Sequence, residues 1–461
     1  MPFELPSWHF GVLSFTGTGH LNPLIVLAQE LAQRGNRVTF FEKPKIEDRV
    51  RQAGLEFVPV CADRSAPPTK PGSRRPGLLS DLALLHFNLK RIILDVQNYL
   101  REVPVAVSQA GIDALIVDEI ALAGPTVAEQ LRLPYFIIST SVPHTTGWKA
   151  FPRFSGYRYV ESPLSRLHSA LLEQSALRVT GPLRRALDRY RRSEGLQSVR
   201  RLQQTYRPLA QITQLPKELD LPNVSLPAYF HYAGPFVSQE SRPPVDFPWH
   251  RLDGRQIIYA SLGTTRNVQS GLFRMIAEAC VDLNAQLIIS LGARFDPAEF
   301  ADFPGQPLIV GFAPQLQLLK HATLIITHGG ANTVFESLLE GKPMIAIPIA
   351  YDQPAIAARL VRAGAGIALP VMRVSAARIR TAVLTVLQDP AYRNAAITIQ
   401  RTLCPRGGAA QAASIIGNAM LRSGSEPHLP AGDQSRSGSD NAASMVSEHR
   451  RKLLERLNTV K

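Results

Sequence analysis

Apolar and polar positions fall into alternating blocks along most of the chain. Residues 9–15 form a short apolar run that enters the loop Thr16-Gly17-Thr18-Gly19-His20. Apolar residues then recur at helical spacing (Leu24, Leu27, Ala28, Leu31) until Gly35. Further strand-like runs occupy 37–41, 114–117, where Asp118 ends the run, and 135–139. Strands alternating with helical patterns predict a parallel sheet covered by helices on both faces. From residue 148 to about 207 the pattern turns to Leu- and Arg-rich, helix-forming sequence. Residues 239–249 then carry Arg242-Pro243-Pro244 and Phe247-Pro248, as a linker would. A second α/β series follows, with strands expected at 256–260, 286–291, 308–311, 324–327 and 343–347. After Gly407-Gly408 one helical segment runs to about 421. Residues 423–448 are serine-rich with almost no large apolar side chain, the composition of a disordered segment, and 449–457 form a short basic helical pattern. The expected organisation is therefore α/β, with two doubly wound halves: residues 1–238, a linker 239–250, a second domain 251–404, a C-terminal helix 405–422 and a disordered basic tail 423–461.

Composition narrows the classes. At 461 residues, 45% hydrophobic and 19% charged, the chain is ordinary globular material and not a wholly disordered one. Its longest apolar stretches, such as 344–350, are strand-sized, well short of the roughly 18 residues a membrane span needs. An early acid and no basic n-region at the N-terminus predict no secretory signal. Three cysteines (Cys61, Cys280 and Cys404) without CxxC spacing argue against a disulfide framework or a zinc cluster, and a cytoplasmic location fits. The net charge of +14 is concentrated: residues 146–209 hold 13 Lys/Arg against 4 Asp/Glu. Basic residues there alternate with Leu and Tyr, as in Leu183-Arg184-Arg185-Ala186-Leu187 and Arg189-Tyr190-Arg191-Arg192. That pattern predicts peripheral contact with an anionic membrane, at its inner face; a solvated helical face is the plainer alternative. Nucleic acid is not an expected partner, since no recognised motif accompanies the patch.

Two stretches carry candidate chemistry. The loop 16–20 joins a strand to a helix, where backbone N–H groups can cradle a phosphate. It is not the dinucleotide fingerprint, because Asn22 stands where the third glycine belongs, and no Gly-Lys-Ser/Thr follows to make a P-loop. His20, in the first turn of that helix, should face a cleft at the carboxyl edge of the sheet. A carboxylate is needed to fix its tautomer and stabilise the imidazolium. Asp118, at the end of its strand, lies on the same edge; its alternative role is a helix N-cap, and the adjacent Glu119 is a second candidate. The other stretch, 311–359, reads Phe312-Ala313-Pro314-Gln315, Leu319-Lys320-His321, Thr327-His328-Gly329-Gly330-Ala331-Asn332-Thr333-Val334-Phe335-Glu336, Gly341-Lys342-Pro343, Ile347-Pro348 and Tyr351-Asp352-Gln353-Pro354. The glycines after His328 would let a phosphate approach a helix N-terminus. Glu336, four residues after Asn332, shares its helix face and could take two ribose hydroxyls.

In order and spacing this second stretch resembles the nucleotide-sugar signature of the UDP-glycosyltransferase family, which has the GT-B fold. The ending from Asp352 to Arg359, with Ser261-Leu262-Gly263-Thr264, is similar to the bacterial zeaxanthin glucosyltransferase branch. The resemblance implies that His20 is the catalytic base and Asp118 its partner. It implies that Phe312, where the family usually has Trp, stacks on the uracil with Gln315 beside it. Gly19, Thr264, His328, Gly330, Asn332 and Thr333 would surround the diphosphate, Glu336 the ribose, and Asp352 and Gln353 the sugar hydroxyls. It also puts the acceptor in the first half, where Phe15, His144 and residues 148–154 are candidates to line an apolar pocket, with core packing the plainer reading of them. The expected reaction is inverting transfer of a hexose, glucose first, from a UDP-sugar to a hydrophobic hydroxylated acceptor such as a carotenoid or other isoprenoid. No Asp-x-Asp triplet occurs, so neither metal nor cofactor is expected. Alternatives are a UDP-GlcNAc transferase acting on a lipid-linked acceptor, whose glycine loop is similar, and a non-catalytic nucleotide-sugar-binding protein.

Overall fold

The structure is a computed structural model and describes residues 7–62, 78–143, 171, 178–199, 207–222, 226–263, 270–292, 295–403 and 407–424. In chain order the first half runs β1 (His9–Leu13), α1 (Thr18–Gln33), β2 (Arg37–Glu42), α2 (Glu47–Gln52), β3 (Glu56–Pro59), α3 (Leu78–Gln109), β4 (Ala114–Asp118), α4 (Gly124–Leu131), β5 (Tyr135–Ser139), α5 (Gly181–Ser193), β6 (Ala210–Thr213) and β7 (Phe230–Tyr232). The second half runs β8 (Gln256–Ser261), α6 (Ser270–Cys280), β9 (Ala285–Ser290), β10 (Leu308–Val310), α7 (Gln315–His321), β11 (Ala322–Thr327), α8 (Ala331–Leu339), β12 (Met344–Ala346), α9 (Gln353–Arg362), β13 (Gly366–Ala368), α10 (Ala376–Gln388), α11 (Pro390–Leu403) and α12 (Ala409–Ser423).

Both sheets are parallel, with orders β3-β2-β1-β4-β5-β6-β7 and β10-β9-β8-β11-β12-β13. Because helices cover both faces, the central strands are mostly apolar, and β1 and β4 are buried at every position, including His9 and Asp118 at their ends. The two Rossmann-like halves make a GT-B fold. In each sheet the strand order reverses beside the first strand, between β1 and β4 and between β8 and β11. At such a switch point the connections leave in opposite directions and open a crevice outside the carboxyl ends of the strands. The loops at those two crevices are 14–17 and 262–263, with 119–123 and 328–330 opposite them.

The halves interpenetrate. α12 returns to the first sheet, where Ala412, Ala413, Ile416 and Met420 join one core with Leu24, Leu27 and Ile212. The crossing is tight: a Cβ on Gly408 would sit 2.1 Å from the Pro235 carbonyl oxygen, and its φ is +47°. In exchange, Val142, Leu215 and Leu219 of the first half pack into the core of the second with Tyr259 and Phe335. Asp220 and Arg359, each 2% exposed, form an ion pair of 3.2 Å across this junction, and Tyr232 donates its hydroxyl to Asp220 at 2.7 Å.

Several expected strands are shorter than their apolar runs, because the sheet ends where the chain turns toward the cleft. β1 stops at Leu13 rather than residue 15, and β12 covers only Met344–Ala346. The described part of the basic stretch turns its leucines inward. On α5, Leu183 and Leu187 are buried against α3 and α4, and Arg191, 1% exposed, is held by Glu129 at 2.5 Å. The apolar stripe of that helix is spent on the core. What remains outside is charge.

Candidate active site

The first crevice brings His20 and Asp118 together. Gly17 caps α1, so His20 lies in its first turn, while Asp118 is the last residue of β4 and fully buried. His20 Nδ1 lies 3.0 Å from Asp118 Oδ2. The other carboxylate oxygen accepts the backbone N–H of Ile120 at 2.9 Å, which fixes the carboxylate plane. Glu119 is engaged elsewhere, accepting from Gln211 at 3.2 Å. Asp118 thus orients the imidazole with its Nδ1 proton directed at the carboxylate, leaving Nε2 as the nitrogen to take up a proton. Phe15 packs edge-on against the ring, with centroids 5.6 Å apart at 80°.

Thr140, just past β5, completes the arrangement: its hydroxyl is 2.7 Å from the same Nδ1 and 3.5 Å from Asp118 Oδ2. Neither Thr140 nor Ser141, which donates a hydrogen bond to Asp352 across the cleft, stands among the residues expected from sequence. The available signal is the polar run Ser139-Thr140-Ser141 directly after an apolar strand, at the same sheet edge as Asp118.

The second crevice supplies a helix N-terminus. Gly330 caps α8, whose first turn (Ala331, Asn332, Thr333) contains no acid and therefore suits an anion. His328 is held edge-on between two glycines: a Cβ on Gly263 would lie 2.6 Å from its Cε1, and one on Gly330 would lie 2.5 Å from Nε2. Burial lowers its pKa to about 4, overriding the nearby Asp352, so the ring is neutral near pH 7 and can serve as a hydrogen-bond donor but not as a cation. Glu336, 2% exposed, has both oxygens engaged: Gln315 donates to one at 2.6 Å, and Arg242 of the linker donates to the other. Gln315 also accepts from the Tyr259 hydroxyl at 3.3 Å, so both ends of its amide are committed. Gln353 uses its Oε1 on the backbone N–H groups of Ile349 and Ala350, at 2.8 and 2.9 Å, which leaves only its NH2 for a ligand. Phe312 is half-exposed, with its ring available for stacking.

His20, Thr140, Ser141, Phe312, Gln315, His328, Asn332, Glu336, Asp352 and Gln353 line one cleft of about 1310 Å³ between the sheets, together with Phe15, Gly19, Arg49, Ile92 and Ile120, and Asp118 lies buried behind His20. Two of the expected residues, Thr264 and His144, lie outside the described residues, as does the segment 148–154. Among the described residues no helix is long and apolar enough to cross a membrane.

Comparison with known proteins fits this geometry. Residues 212–403 match the model for UDP-glucoronosyl and UDP-glucosyl transferases, and residues 12–147 match the glycosyltransferase family 28 N-terminal domain. A zeaxanthin glucosyltransferase of Pantoea ananas is 30% identical over 438 residues, covering 89% of this chain and 96% of the relative. That of Pseudescherichia vulneris is 32% identical over 423 residues, covering 90% and 98%. The chain belongs to the UDP-glycosyltransferase family. Among solved structures, the kitacinnamycin glycosyltransferase superposes with a TM-score of 0.71 at 24% identity, covering 90% of this chain and all of that one, which supports the GT-B fold. This UDP-glycosyltransferase family member is therefore a glycosyltransferase, with its two family-model regions meeting at the cleft that holds His20 and His328.

Proposed function

We propose that the enzyme transfers a hexose, with glucose the first to test, from a UDP-sugar to a hydroxyl of a hydrophobic acceptor such as a carotenoid or other isoprenoid. One observation carries the reading: His20, held from behind by the fully buried Asp118 at 3.0 Å, lines the same cleft as the N-terminus of α8. In this reading His20 Nε2 removes the acceptor proton as the oxygen attacks the anomeric carbon, and Asp118 stabilises the imidazolium. The bond to UDP breaks from the opposite face, inverting the centre. Negative charge developing on the diphosphate would be met by neutral His328 and the backbone N–H groups of Gly330, Asn332 and Thr333. Glu336 would take ribose hydroxyls, Phe312 the uracil, and Asp352 with Gln353 the hexose. The acceptor would enter along Phe15, Ile92 and Ile120, and the zeaxanthin glucosyltransferases among the relatives support an isoprenoid. A peripheral contact with anionic lipid would rest on charge alone, since Leu183 and Leu187 are turned inward; flotation with phosphatidylglycerol vesicles tests it.

The test is His20→Ala with UDP-glucose and a hydroxylated carotenoid. Transfer should fall by about 10²–10⁴-fold, the usual contribution of general-base assistance. Near-wild-type transfer would remove the base assignment, and an α-linked product from the α-donor would overturn inversion. Turnover should survive EDTA unchanged.

A further inference from the structure

Gln214 follows β6 and is 1% exposed, yet it belongs to no recognised motif. Its Nε2 donates to the carbonyl of Thr140 and to Asn332 Oδ1, the latter at 3.0 Å, while its Oε1 accepts the backbone N–H of Phe236 at 3.3 Å. A primary amide has two N–H donors and one carbonyl, so this environment admits one orientation. The reverse would set oxygen against two acceptors. That choice propagates. With Oδ1 of Asn332 facing Gln214, its Nδ2 is turned to donate to the carbonyl of Gly19 at 2.9 Å. Gly19 immediately precedes His20. On the other side, fixing the Thr140 carbonyl places the Thr140 hydroxyl 2.7 Å from His20 Nδ1. Two hydrogen-bonded routes leave one buried amide and converge on the same imidazole. One of them passes through the first turn of α8, in the other half of the molecule.

We propose that Gln214 is a positioning residue, holding the His20 ring in its working orientation along both routes and making that orientation depend on the donor loop of the opposite half. The inference rests on the reading of His20 as the base. It adds that the base is aligned only when the two halves are in register at Asn332. Gln214 touches no reacting atom; it acts through Thr140 and Asn332.

The experiment uses the full chain with Gln214→Met, which keeps length but removes both donors, and Gln214→Glu, which keeps the Oε1 acceptor and replaces the donor with an acceptor. With UDP-glucose and a hydroxylated carotenoid, kcat should fall about 10- to 100-fold, the scale of a slightly misplaced catalytic group. The KM for UDP-glucose should change less than about threefold, because the loss is one of alignment rather than of uniform binding. Histidine-selective ¹⁵N NMR gives the second readout. The His20 ring resonances, identified by their absence in His20→Ala, should shift in both variants. Unmoved His20 resonances, or a loss confined to KM or to thermal stability, would overturn the proposal. If His20→Ala retains transfer while the Gln214 variants still move the His20 resonances, the base assignment fails and the positioning stands.

Discussion

His328 shows how much a single residue's surroundings decide. An imidazole in the unfolded chain titrates near 6.5, whereas in the fold burial lowers it to about 4. Between those values the unfolded chain binds a proton that the native state refuses, so stability declines as pH falls from 6.5 to 4 and levels off below. For this one group the loss amounts to about 3 kcal/mol. Urea titrations of wild type and His328→Gln across that window should show a shallower decline for the variant. A glycosyltransferase that met the diphosphate with a charged imidazole would instead lose donor affinity as the histidine deprotonated. Here UDP affinity should be flat from pH 6 to 8 as far as His328 is concerned, as calorimetry can check.

Among elements, the glycine positions beside β8 and β11 set the loop that carries His328. Gly330 has an ordinary φ, so Gly330→Ala strains no backbone; its methyl would instead press on the His328 ring 2.5 Å away. The expected result is a UDP dissociation constant raised at least about tenfold, with little change in thermal midpoint, since loop geometry rather than core volume is altered. At this scale much was legible in the sequence. His20 and Asp118 end up paired because each sits at the carboxyl end of an apolar run, and two such ends flanking a switch point must be neighbours. Residues of the stretch from Phe312 to Gln353 reach the same cleft for the same reason, as its strand-to-helix turns lie at the carboxyl ends of β10, β11 and β12. Less could be read where a side chain works through another residue's backbone. Gln214 reaches Thr140 through a carbonyl, which leaves no spacing to recognise. The three-residue strands β7, β10, β12 and β13 are too short for alternation to register, and only β10 and β12 are marked by apolar runs. α3 stands outside the expected elements although Leu89, Ile93, Val96, Leu100, Val103 and Val107 recur every three to four residues.

For the whole molecule, the junction between the halves is as buried as either core. Asp220 and Arg359 are each 2% exposed, and removing one partner would strand the other in an apolar setting. Asp220→Ala should therefore cost about 3–5 kcal/mol in urea unfolding. Replacing both members with apolar residues of similar volume, as in Asp220→Leu with Arg359→Met, should recover much of that loss. A thermal midpoint unchanged in the single variant would show that the pair contributes nothing to holding the halves together.

The return of α12 to the first sheet bears on how such enzymes can be recombined. A chimera cut only in the linker would inherit α12 from the parent of the second half, and its Ala412, Ile416 and Met420 would meet a foreign seat on α1 and β6. A functional hybrid needs two seams, one before Gln256 and one near Gly407-Gly408, so that α12 travels with α1.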